Sequence, residues 1–178
     1  MRVAITGTPG TGKTTATELL EERLAEDDSL PDLEVVHLNR VLEDEGLYTE
    51  VDADRESKIA DLDALADWLE DRDEAVIESH LAHHFDADRV AVLRCEPAAL
   101  EERLLERGET EAKARENAES EALDVILSEA AEQHGLESIY EVDTTDREPE
   151  DVADALEAVV TGEREPSAGE VDFVGYLG

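Results

Sequence analysis

Short apolar runs bounded by glycine, proline or charge recur along the chain, and segments of helical period lie between them. Residues 2–6 form the first run, ended by glycines. Ala16, Leu19, Leu20 and Leu24 then share one helical face within residues 14–24. Strand, turn and helix are expected in that order. Residues 33–38, 75–78, 89–94 and 138–142 are further runs suited to buried strands, each separated from the next by helical pattern. This alternation predicts an α/β fold of five parallel strands with crossover helices.

The intervening helices carry their own signals. Ile59, Leu62, Leu65 and Leu69 share a face, Pro97 and Pro149 suit first-turn positions, and Ala118, Ala122, Leu123 and Ile126 mark one long helix. Between residues 39 and 58 the pattern is weak and heavily charged, and residues 108–115 are polar, so both stretches are expected to be mobile inserts. From Thr161 onward the run Gly-Glu-Arg-Glu-Pro-Ser-Ala-Gly reads as a linker, and residues 171–177 as a weakly apolar tail. The expected organisation is one domain over residues 1–160 followed by a linker and tail over 161–178.

Composition sharpens this picture. A length of 178 residues suits one domain with a sizeable core. Fifty acidic residues against 15 basic ones give a formal charge of −35, while 40% hydrophobic content with clear periodicity excludes a disordered acidic chain. Such a surface repels itself in dilute buffer, and at molar salt the screening length falls to ~3 Å and relieves the repulsion. The balance resembles that of cytosolic proteins from salt-accumulating halophilic archaea. Free polyanions should be repelled, so no sequence-specific nucleic-acid binding is expected. Cys95 is the sole cysteine, which excludes an internal disulfide and fits a reducing compartment, with burial beside a strand as its expected role. The first run leads directly into a glycine turn and no apolar stretch reaches membrane-spanning length, so a cytoplasmic protein without a membrane partner is expected.

Chemistry concentrates at Gly7-Thr8-Pro9-Gly10-Thr11-Gly12-Lys13-Thr14, which satisfies G-x-x-x-x-G-K-[ST] between an expected strand and an expected helix. Glycines let successive N–H groups converge on phosphate oxygens, and the helix that follows presents its positive end to the same charge. Lys13 adds a point charge for the terminal phosphates and Thr14 a hydroxyl for magnesium. A nucleoside triphosphate such as ATP, with Mg2+, is the expected ligand. Lys13 is one of only three lysines, with Lys58 and Lys113, so the cation should matter unusually in this negative field.

A phosphoryl-transfer site also needs a strand-end carboxylate near the metal and cations over the transferring group. Glu78 closes the run Ala-Val-Ile-Glu, and His80 follows two residues later, pointing the same way if the strand continues. His83 and His84 are expected to be structural. Arg103, Arg107, Lys113 and Arg115 cluster between two helices; each could instead pair with a glutamate at i,i+4, and Arg107, just before Gly108, is the favoured catalytic cation.

These residues, with Val-Leu-Arg at 92–94, Glu-Arg-Leu at 102–104, Arg-Gly at 107–108, Lys113, Asn117 and Glu121, resemble the adenylate kinase isoenzyme six family over residues 1–160. The resemblance implies a nucleoside-monophosphate-kinase fold and reversible phosphoryl transfer between ATP and AMP or another monophosphate. It also implies ATPase activity and a role in late maturation of the small ribosomal subunit and its 16S rRNA, through transient binding of ribosomal protein S-eleven. Mapped by residue, Gly10, Gly12, Lys13, Thr14 and Thr15 would hold ATP, with Arg107 touching it from a lid at 106–116. Residues 30–51 would form the monophosphate-binding insert. Thr14 and Glu78 would serve magnesium, and Lys13, Glu78, His80 and Arg107 catalysis. Two departures stand out: the strand-end acid is usually Asp in eukaryotic members, which favours a water-bridged role for Glu78, and the insert lacks an arginine near Tyr48, leaving Arg40 and Arg55 as substitutes. Competing readings are a kinase for shikimate, gluconate or dephospho-coenzyme A, and an assembly factor whose kinase turnover is incidental. A switch GTPase would need an Asn-Lys-x-Asp element, which the chain lacks.

Overall fold

A computed structural model describes the backbone of residues 1–52 and 57–178, and the side chains of residues 1–49 and 59–178. Strands β1 (Arg2–Gly7), β2 (Glu34–His37), β5 (Ala75–Glu78), β6 (Arg89–Arg94) and β7 (Ile139–Asp143) form one sheet in the order β2-β5-β1-β6-β7. Each pairing is parallel.

The strands alternate with α1 (Lys13–Glu26), α2 (Leu38–Asp44), α3 (Leu62–Leu69), α4 (Pro97–Glu106), α5 (Glu111–Ala122), α6 (Val125–His134) and α7 (Pro149–Thr161). β3 (Tyr48–Asp52) and β4 (Ser57–Ala60) form a separate antiparallel pair.

Period-two geometry divides the strands between two cores. Val3, Ile5, Val76, Leu93 and Val142 face the side covered by Leu20 of α1 and by Val152, Leu156 and Val159 of α7. Their alternates Ala4, Ile77, Val90, Val92 and Ile139 face Leu65, Leu69, Leu127 and Ala130 of α3 and α6. Burial on both faces is why these runs are almost continuously apolar. Arg23 of α1 reaches Asp154 (2.7 Å) and Glu157 (3.0 Å) of α7, tying that layer at its surface.

The sheet register places the site. His37 lies beside Glu78, Glu78 beside Ile5, and Gly7 beside Leu93, so the carboxyl ends of β2, β5, β1 and β6 open onto one edge. Ligands of open parallel sheets bind at this edge, where strand order reverses about the first strand.

Three local expectations are corrected. The long helix through Ala118, Ala122, Leu123 and Ile126 is two helices, because Asp124 adopts a left-handed conformation (φ +55°). The cause is tertiary: the buried Arg94 guanidinium takes the Glu121 carbonyl (3.2 Å) and the Asp124 carboxylate, turning the chain where the helical pattern would continue. The polar stretch after Gly108 is helical from Glu111, with Thr110 Oγ1 accepting from the Lys113 N–H (3.2 Å). Leu100 and Leu104 of α4 pack on Ala114 of α5 beneath it.

The segment after Thr161, expected to read as linker, is tied to the sheet edge. Ser167 N–H donates to Ile139 O (2.8 Å), Arg164 to Glu141 O (2.8 Å), and Glu170 N–H to the Glu141 carboxylate (2.7 Å). Tyr176 OH then reaches Glu101 of α4 (2.7 Å).

Candidate functional site

The turn between β1 and α1 is shaped by glycine. At Gly7 (φ +148°) a Cβ would sit 2.6 Å from the Leu93 carbonyl oxygen of the adjoining strand, and Gly12 (φ +90°) takes a left-handed conformation immediately before α1. Among the described residues no side chain caps the first turn of α1, and no acid lies within it, so its N–H groups remain directed at the turn. Thr14 and Thr15 are exposed on that turn.

Lys13 folds back into the loop, 8% exposed, with Nζ donating to the carbonyls of Gly7 (2.8 Å) and Thr8 (3.1 Å). Burial pulls its pKa from 10.5 down to about 8; Glu78 and Glu121 oppose the fall and Arg107 adds to it. At neutral pH it therefore stays charged inside a protein cavity. Thr11 Oγ1 closes the turn on Thr8 O (2.8 Å), while the buried Thr8 Oγ1 has no partner among the described residues.

A cavity of about 740 Å³ opens from this loop, a size suited to a nucleotide. Residues from Pro9 to Ala16 form one wall, Glu78, His80 and Asn39 another, and Arg103, Arg107, Thr144 and Arg147 the far side. The expected set Gly10, Gly12, Lys13, Thr14, Thr15, Glu78, His80 and Arg107 is brought together here.

Glu78 is 2% exposed, and its Oε1 lies 3.4 Å from His37 Nδ1 across the β2–β5 pair. His37 Nε2 is in turn 3.4 Å from Glu21 Oε2 of α1. His80 makes no hydrogen bond among the described residues. Burial, and then Lys13, His83 and His84, hold its pKa down to about 4, so the ring is neutral and can both donate and accept. His83 is fixed between Thr6 Oγ1 (2.8 Å) and Glu129 Oε2 (2.7 Å).

The four candidate cations separate. Lys113 lies 3.8 Å from Glu109, across the start of α5, and Arg115 3.2 Å from Glu119 on its surface, both at i,i+4. Arg103 spends its guanidinium on Thr144 O (3.1 Å) and Gly10 O (3.4 Å), bridging the loop after β7 to the glycine turn. Arg107 is exposed at the cavity, with no ion pair among the described residues for its guanidinium. Arg40 pairs with Glu18 (2.6 Å), and the side chain of Arg55 lies outside the described residues.

His37, Asn39, Thr144 and Arg147 were not legible as site residues. Asn39 Oδ1 accepts from Ser79 Oγ (2.8 Å), which fixes the foot of the insert to the strand end, but only the β2–β5 adjacency reveals that contact. Arg147 follows the β7 run by four residues, the one signal that could have marked it.

A family profile described as "AAA domain" matches residues 3–124. Two relatives carry the name "Putative adenylate kinase": one from Natronomonas pharaonis, 58% identical over 99% of this chain and 100% of its own length, and one from Halobacterium salinarum, 54% identical with the same coverage. A third of that name, from Methanosarcina acetivorans, is 38% identical over 90% of this chain and 86% of its own. Among solved structures, a shikimate kinase from Bacteroides thetaiotaomicron aligns over 90% of this chain and 98% of its own (TM-score 0.57, 16% identity). A gluconokinase from Sinorhizobium meliloti aligns over 91% and 92% (TM-score 0.55, 15% identity). At these identities the two structures speak to the fold alone, that of a small P-loop kinase. The full-length relatives carry the closer relationship, and the glycine turn, the Lys13 geometry and the acidic surface agree with it: the chain belongs to the archaeal adenylate kinase family.

Proposed function

We propose that this protein transfers the terminal phosphoryl group of ATP to AMP or another nucleoside monophosphate, giving two nucleoside diphosphates. The observation that carries the reading is the one cavity in which the phosphate turn, Glu78, His80 and Arg107, which has no ion pair among the described residues, meet. Phosphoryl transfer asks the protein mainly for positioning and for charge stabilisation, and these residues supply both.

Lys13 and the first-turn N–H groups of α1 hold the terminal phosphates. Arg107, at the mouth of the helix pair α4–α5, covers the charge that moves. An exposed Thr14 hydroxyl and a buried Glu78 carboxylate, the latter acting through a water, are hard oxygen donors that fit Mg2+. Bound there, the ion would neutralise charge on the triphosphate. His37 and Glu21 keep the Glu78 carboxylate in place, and the neutral His80 ring orients an acceptor oxygen or a water.

Because His80 can serve water as well as a monophosphate, ATP hydrolysis is part of the proposal. A gated contact with a basic partner such as ribosomal protein S-eleven, during small-subunit maturation, is compatible with the −35 charge. Arg40 is engaged with Glu18, so acceptor selectivity rests on other groups at the foot of the insert, Asn39 among them.

The test offers labelled ATP and Mg2+ with AMP, other monophosphates, shikimate, gluconate and dephospho-coenzyme A in molar KCl. Transfer to AMP or another monophosphate is expected. Transfer to shikimate, gluconate or dephospho-coenzyme A alone would refute it. A pull-down of S-eleven with and without ATP addresses the partner: retention that changes with nucleotide is expected, and no retention in either state would remove it.

A further inference from the structure

Two adjacent histidines and a glutamate converge outside the phosphate cavity. β5 ends at Glu78, and the chain turns through His80 into a 3-10 turn, Ala82–His84, which places the rings of His83 and His84 with centroids 4.2 Å apart and an interplanar angle of 36°. Opposite them, α6 presents Glu129, whose Oε2 is 2.7 Å from His83 Nε2 and 3.8 Å from His84 Nε2. One ligand atom from each residue lies within 4.8 Å of the others.

The outer nitrogens of both rings are already occupied. His83 Nδ1 faces Thr6 Oγ1 at 2.8 Å, and His84 Nδ1 faces the Gln133 amide at 3.3 Å. Without an ion, His83 Nε2–H donates to Glu129; with one bound, that proton would leave, Nδ1–H would be donated to the Thr6 hydroxyl and, after a turn of the amide, to the Gln133 oxygen, and each Nε2 would offer its lone pair to the ion. Metal-bound histidines are held in this way by a hydrogen bond from the other ring nitrogen, which sets tautomer and ring orientation.

The distances also suit the role. A tetrahedral ion with bonds near 2.0–2.2 Å sets its ligands ~3.3 Å apart, so His83 and Glu129 would open slightly and His84 and Glu129 would close slightly. The half-exposed Glu129 and the partly exposed His84 leave the cluster open to solvent for a water in the fourth position, while His83 is 1% exposed and anchors it to β1.

We propose that His83, His84 and Glu129 form a binding site for a borderline divalent transition-metal ion of the zinc class. Two imidazoles and one carboxylate select such an ion over Mg2+, which prefers an all-oxygen shell. Occupancy would clamp the turn after His80 to α6, and through Thr6 to β1. The site is separate from Thr14 and Glu78 and stands independently of the proposed kinase reaction.

Co2+ serves as the spectroscopic probe, titrated into the full chain in molar KCl with excess Mg2+, followed by displacement with Zn2+. One equivalent should bind with visible d–d bands, and Zn2+ should displace it. His84→Ala and Glu129→Gln alter partly exposed side chains and are expected to fold, as circular dichroism would verify. Each should weaken Co2+ binding by at least about tenfold. His83→Ala removes a buried anchor and is a secondary variant. No stoichiometric binding, or unchanged affinity in both folded variants, would overturn the proposal. So would binding that ATP with Mg2+ abolishes but His84→Ala leaves intact, because that metal would sit in the phosphate cavity.

Discussion

Replacing Lys13 by Met should make the nucleotide-free protein more stable while removing its chemistry. Lys13 titrates near 8 in the fold against 10.5 as an ordinary lysine, because burial disfavours its charge. Between those values the unfolded chain holds a proton that the folded protein does not, so stability rises with pH across that window. Relative to pH above 10.5, holding the charge at neutral pH costs about 3 kcal/mol. Methionine keeps the volume and removes the charge, but it leaves the Gly7 and Thr8 carbonyls without their donor. Those losses, each about 1 kcal/mol, reduce the gain to about 1–2 kcal/mol. For a chain of this size that is a rise in Tm of about 3–6 °C.

The assay is a pair of melts by circular dichroism, wild type against Lys13→Met, in molar KCl with chelator and no nucleotide, repeated from pH 7 to pH 11. The variant's advantage should be largest at neutral pH and shrink between pH 8 and 10.5 as wild-type Lys13 loses its proton. Turnover should fall at least about 100-fold in the same variant. A variant that is less stable at every pH, with a constant gap, would refute the buried-charge account of the loop.

Glu78→Gln should depress both phosphoryl transfer and ATP hydrolysis while nucleotide still binds, whereas His80→Ala should lower hydrolysis more than transfer to AMP; steady-state kinetics of both reactions on one preparation read the difference. Arg94→Met should cost about 3–5 kcal/mol in a melt or denaturant titration, because it leaves Glu121, Asp124 and Glu141 facing one another around a buried position. Tm should climb from dilute into molar KCl as the −35 charge is screened, and a flat or falling series would contradict this. Truncation after Glu163 removes the tail's donors to Glu141, leaving Arg94's, and the Tyr176–Glu101 bond, and should lower Tm without abolishing nucleotide binding.

What could be read from the sequence was local. The glycine turn declares its own geometry, because the φ values at Gly7 and Gly12 and the close approach to Leu93 exclude most side chains. Glu78 was legible because it closes an apolar strand run, whereas His80 lines the cavity from the turn after β5 and not from a continued strand. His37 was not legible, since its contact with Glu78 depends on β2 lying beside β5, and strand order is a property of the assembled sheet. The α5–α6 break was hidden for a related reason: the helical pattern continues through Asp124, and a buried arginine from β6 overrides it. Composition also misled at the tail, where Gly, Ser, Pro and Glu suggest a linker and the edge of β7 supplies partners for it.

The central claim is that one cavity moves phosphate from ATP to a monophosphate, and phosphorus NMR of ATP with AMP, Mg2+ and the protein in molar KCl tests it most directly. The account predicts two ADP for each phosphoryl group transferred to AMP, with transfer outpacing the release of free phosphate, and a rate reduced at least about 100-fold in Lys13→Met. Release of inorganic phosphate with AMP and every other monophosphate offered unchanged, or diphosphate formation at the same rate in the variant, would contradict it.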